Sequence, residues 1–139
     1  MRTRHATALT VACLIAVGAA GCSKSADENA KDCATALTER TGSDSADTPT
    51  VSEAEERVDA LDKTLADMVR SGYEGVAKDA ADTVEKKTKE GGDSRPGACE
   101  PLSKDDYTAL LTAKVIDGLG WTGDGGEFDK LKMAQGLGN

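Results

Sequence analysis

The stretch Val51-Ser52-Glu53-Ala54-Glu55-Glu56-Arg57-Val58-Asp59-Ala60-Leu61-Asp62-Lys63-Thr64-Leu65-Ala66-Asp67-Met68 decides the fold class. Val51, Ala54, Val58, Leu61, Leu65 and Met68 recur at alternating steps of three and four, the spacing that lines one face of an α-helix. Ser52 and Glu55 have capping-box spacing, and Glu53, Glu55 and Glu56 place negative charge where a helix dipole is positive. An ordinary core helix accounts for this stripe. A partner-binding coiled coil would need three or four heptads, and Ser71-Gly72-Tyr73-Glu74-Gly75 interrupts the pattern first. Each glycine costs about 1 kcal/mol relative to alanine inside a helix, so a kink or a tight turn is expected there.

Helix resumes beyond the glycines to Lys89, with Val76, Ala80 and Val84 on one face. Glu74–Lys78, Asp82–Lys86 and Glu85–Lys89 have the favourable acid-to-base order at four residues. Upstream, Ala30, Cys33, Ala34 and Leu37 predict a helix from about Asp27 to Arg40, closed by Gly42. Gly42 to Thr50 and Gly91 to Pro101 read as solvated loops. Ser103 is a good N-cap for a further helix, with Leu102 stapled onto Tyr107 and an inward face of Tyr107, Leu110, Leu111, Val115 and Leu119. After Trp121 come a glycine-rich turn and a short last helix, where Phe128, Leu131 and Met133 or Ala134 are expected to pack and residues 135–139 to fray. The fold expected is all-α, a small bundle of three to five helices.

The first residues have a different character. Arg2, Arg4 and His5 precede an apolar run from Ala6 to Val17, and small residues lead to Ala20-Gly21-Cys22. A basic start, a short apolar core and a small-residue cleavage site make a secretory signal. The run is shorter than the roughly 20 residues a spanning helix needs. The segment Ala16-Val17-Gly18-Ala19-Ala20-Gly21-Cys22 resembles the lipobox of bacterial lipoproteins. That resemblance covers residues 1–22 only. It implies that residues 1–21 are a cleaved signal peptide and that Cys22 becomes a lipidated N-terminus. Thiol nucleophilicity suits Cys22 to thioether formation, and two acyl chains suffice for stable anchoring. An ordinary secretory signal cut in the same region would instead leave Cys22 a free thiol. On the lipoprotein reading, residues 22–29 form a tether and 30–139 the domain. The protein is then held at the cell membrane, facing the extracellular side.

Cysteine arithmetic follows from that resemblance. The chain has four cysteines. Cys13 falls in the discarded segment and Cys22 takes the lipid, which leaves Cys33 and Cys99 in a compartment where disulfides persist. The competing readings are two free thiols or part of a metal site. No CxxC spacing is present, and the chain's one histidine, His5, lies in the signal segment, which disfavours zinc.

Composition bounds the function. Without Arg2 and Arg4, 15 basic residues face 25 acidic ones, a net charge of about −10. This argues against nucleic acid and against docking on anionic head groups. Leu, Ile, Val and Phe number 17 of the 118 residues from Cys22 onward, low enough that composition alone admits disorder. Helical periodicity and a cysteine pair argue for a fold. Serine–histidine, cysteine–histidine and HExxH chemistries lack their histidine. Asp124, Glu127 and Asp129 lie near three glycines without EF-hand spacing, so they read as an acidic turn capping the last helix rather than a calcium site. Tyr107, Trp121 and Phe128 are a candidate pocket or partner hot spot, although scarce aromatics are more often core. The expectation is a lipid-anchored, non-catalytic binding or interaction module without a cofactor or metal, meeting the membrane through its lipid and a protein or envelope component. The alternative is a small ligand-binding lipoprotein of a transport or sensing system.

Overall fold

The computed structural model describes residues 24–138. The signal segment and Cys22 lie outside the described residues. Among the described residues there are five helices and no strand: α1 (Ala26–Thr41), α2 (Val51–Arg70), α3 (Glu74–Gly92), α4 (Lys104–Gly118) and α5 (Lys130–Leu137). A 3-10 turn, Gly97–Cys99, precedes α4. The expected small all-α fold is what the chain adopts.

α4 is the axis. α1, α2 and α3 all pack on it, and α5 closes against α3. Buried residues occur all round α4: Tyr107, Leu110, Leu111 and Ala113 to Asp117. Two apolar clusters form along it. At its start, Leu102, Tyr107, Leu110 and Leu111 pack with Ala30, Cys33, Ala34, Leu37 and Ala54. Towards its end, Val115 and Ile116 pack with Leu61, Ala80, Val84, Trp121 and Met133, flanked by Leu65, Met68 and Leu119. Alanines fill much of the first cluster, so helices approach closely there and a low content of large apolar residues still excludes water.

Helix ends follow side-chain chemistry. α1 begins at Ala26, inside the segment read as tether, because Ser25 and Glu28 form a complete capping box. α2 is capped by Thr50 with Glu53, not by Ser52 with Glu55. Both pairs have the required spacing, and the earlier start brings Val51 into the helix. The interruption at 71–75 is a hairpin turn. Gly72 takes φ 85°, while its N–H and that of Tyr73 donate to Val69 O and Met68 O, a Schellman closure that L side chains adopt only with strain. α3 then runs back against α2.

Several side chains depart from the expected faces. Arg57 is fully turned in on α2, while Val58 is half-buried. Val76 is exposed, and Ala77 takes the inward place on α3. Leu131 is 67 % exposed, and Met133 packs for α5 instead. α5 also continues to Leu137 rather than fraying from residue 135. On α3, Lys78 pairs with Asp82, and Lys86 and Lys87 reach Glu90, while the Glu85–Lys89 pair forms as expected. These are exposed pairs, each worth a few tenths of a kcal/mol.

Cys33 and Cys99 are bonded, with Cα atoms 4.6 Å apart, and both are buried. The bond ties α1 to the turn that delivers α4. Arg95 braces the same turn, donating to Cys99 O from Nε (3.1 Å) and Nη2 (2.6 Å) and to Leu102 O, with its guanidinium 4.8 Å from the Tyr107 ring centroid. The cross-link spans 66 positions, so chain entropy sets its worth at about 4 kcal/mol. Cys33→Ala/Cys99→Ala is expected to lower unfolding free energy by about that amount in denaturant titration. A loss below about 1 kcal/mol would show that the bond contributes little to the fold.

Candidate functional site

The charged groups that matter most lie inside. Lys114 is wholly buried on α4, one turn before Asp117. Its ammonium donates to Asp117 Oδ2 (3.0 Å), Ser43 Oγ (3.1 Å), Asp47 O (2.9 Å) and, at the limit, Ser45 O (3.5 Å). Asp117 also accepts from the Ser43 hydroxyl and from Thr122 Oγ1 (2.8 Å). Arg57, 5 % exposed, reaches in from α2. Its Nη2 donates to Asp47 Oδ2 (2.7 Å) and its Nη1 to Ala113 O (3.4 Å). Two buried cations therefore hold the loop 42–50, which has no regular structure, onto the bundle.

The second wall is the turn after Trp121. Thr122 and Phe128 form a single antiparallel bridge, with Gly123 N–H donating to Glu127 O and Asp129 N–H to Trp121 O. Gly126, at φ 82°, lies directly over the ion pair. A Cβ there would stand 2.9 Å from both Arg57 Nη2 and Asp47 Oδ2. Lys132 of α5 donates to Thr122 O at 2.7 Å, so the turn is fixed from both sides.

A serine beside a lysine raises the question of a nucleophile and its base. The bonding here runs the other way. Ser43 donates to Asp117, and Lys114 donates to Ser43, so nothing relieves the hydroxyl of its proton for attack. Burial alone would raise the Asp117 carboxyl. Hydrogen bonds from Ser43, Thr122 and Lys114, with the Lys114 charge, outweigh it and hold Asp117 below the usual aspartate range. A carboxyl held there is a weak base near neutrality. The cluster is built to fix a loop.

Outside it lies an acidic cleft of about 420 Å³. Glu53, Glu56, Ala60, Glu127 and Phe128 line it above the Arg57–Asp47 pair. Glu53 is engaged by its own helix: the Thr50 backbone N–H and hydroxyl hold its carboxyl below the ordinary range. An adjoining hollow reaches Ser45, Asp117, Thr122 and Asp124. Asp129 serves as the N-cap of α5, accepting from Leu131 N (2.8 Å) and Lys132 N (3.2 Å). Among the described residues, no three histidine, cysteine, aspartate or glutamate side chains are grouped to hold a metal ion.

The three aromatic candidates do not converge. Tyr107 is buried in the cluster at the start of α4, and Trp121 is buried in the cluster at its end. Phe128 is half-buried beside Trp121's cluster and lines the acidic cleft. Exposed apolar side chains lie elsewhere: Val69 (49 %), Tyr73 (61 %) and Val76 (39 %) at the α2–α3 turn, and Leu131 on α5. Sequence periodicity places Val76 in the core and gives Tyr73 no special part.

Lys114→Met is expected to destabilise by about 3–5 kcal/mol, because it strands Asp117. The double variant Lys114→Met/Asp117→Leu should recover much of that loss, since it removes both charges. Additive losses in a double-mutant cycle would contradict the coupling. Asp117 also sets an acid limit. Its folded pKa is lowered, so its contribution is complete above the unfolded value near 3.9 and falls away as pH drops through the folded value. Denaturant midpoints measured between pH 2 and 6 should fall on the acid side, and Asp117→Asn should flatten that fall. An unchanged slope in the variant would assign the acid sensitivity to other carboxylates.

The chain matches no protein-family model, no curated protein and no solved structure.

Proposed function

We propose that this chain is a lipid-anchored cell-envelope protein whose helical domain is a non-catalytic binding or interaction module. Cys22 carries the lipid on this reading, and the described residues begin shortly after it, at Lys24. No helix among the described residues is long and apolar enough to cross a membrane, so membrane attachment would rest on the segment before them.

The observation that carries the binding reading is the exposed apolar turn of Val69, Tyr73 and Val76. Apolar side chains grouped at one point of a charged surface, with a tyrosine among them, have the make-up of a partner contact. Its position fits the anchor. Ala30 and Cys33 of α1 pack with Leu102 and Tyr107 at the start of α4, whereas Leu65 and Met68 of α2 pack near Leu119 at its end. The start of α1 and the α2–α3 turn thus lie towards opposite ends of a 15-residue helix, roughly 22 Å long. A protein tethered at one end would present the turn at the other. The acidic surface keeps such a domain soluble and off anionic head groups.

Two experiments test the halves of the proposal separately. Cys22→Ala is expected to move the protein from the membrane fraction to the soluble fraction; a variant that stays with membranes refutes the anchor. Crosslinking in intact cells, followed by purification, is expected to recover a protein or envelope component with the wild-type chain and much less with Val69→Ser/Tyr73→Ser. Both side chains are exposed, so the double variant should melt within a few degrees of wild type. Equal recovery from the double variant would remove the α2–α3 turn from the binding role. No recovery with wild type, joined to thermal stabilisation by a small molecule, would favour the small-ligand alternative.

A further inference from the structure

We draw no further inference here: the strongest candidate, the acidic cleft between the first half of α2 and the turn at residues 122–128, is a group of carboxylates whose buried cation, Arg57, is already paired with Asp47 and covered by Gly126, so nothing in it points to a ligand.

Discussion

A lysine with no exposed surface has to be met from every side, and the fold is arranged around meeting Lys114. Leaving a buried charge unpaired costs about 3–5 kcal/mol, a large share of a small domain's stability. α4 supplies one partner itself, Asp117, a turn away. The remaining acceptors come from the loop 42–50: one hydroxyl and two carbonyls. Pro49 is that loop's one buried apolar side chain. The rest of its placement is polar, with Arg57 donating to the Asp47 carboxylate. A buried ion pair is weak evidence for net stability, since an apolar pair of equal volume often does as well. What the pair does provide here is register. The loop can satisfy Lys114, Asp117 and Arg57 together in one placement, and this fixes how α2 enters the bundle.

The apolar core and the disulfide carry a different share. Alanines and leucines make most of one modest cluster, and Leu61, Val84, Val115, Ile116, Trp121 and Met133 most of the other. A domain with so few large apolar residues has a narrow margin against chain entropy. The Cys33–Cys99 bond acts on the unfolded ensemble and relieves the core of part of that demand. It lies at the start of α4, while the polar network lies nearer its end. Each end of the axis thus has its own constraint beyond packing. The end that carries Trp121 and the α2–α3 turn is also the one left with exposed apolar side chains.

The outline of this fold was legible in the sequence because helix periodicity, caps and glycines are local signals. Ser103, Asp129 and Gly42 work where their residue types predict. The cap of α2 was displaced because two serine/threonine–glutamate pairs, offset by two, satisfy the same rule. Faces were less legible than ends. Periodicity sorts residues by polarity, so it assigned Val58 and Val76 inward and passed over Arg57, Lys114 and Asp117. A signal for the last two was present. Leu110, Leu111, Ala113, Val115 and Ile116 cover most directions around α4, and a helix apolar on so many sides is surrounded. Lys114 within that run and Asp117 directly after it, at i and i+3, are then both drawn inside. Partners such as Ser43 and Asp47, some 70 positions away, could not be read from spacing. Tyr107 and Trp121 come from one helix and its exit, yet the 14 positions between them place them in different clusters.

The chemistry of the molecule points the same way at each level. The interior charges are paired, Lys114 with Asp117 and Arg57 with Asp47, and only the Arg57 Nε among their buried atoms is left without a hydrogen bond; the apolar turn stands apart from them. All of this depends on a Lys114 ammonium that is sequestered and bonded to the loop 42–50. Nitrogen-15 NMR of the lysine ammonium groups tests it most directly. The account predicts one lysine Nζ signal with slowly exchanging protons, assigned to Lys114, with proton–proton contacts to Ser43 and Asp47. Fast solvent exchange at all lysine ammonium groups, with no such contacts, would contradict it.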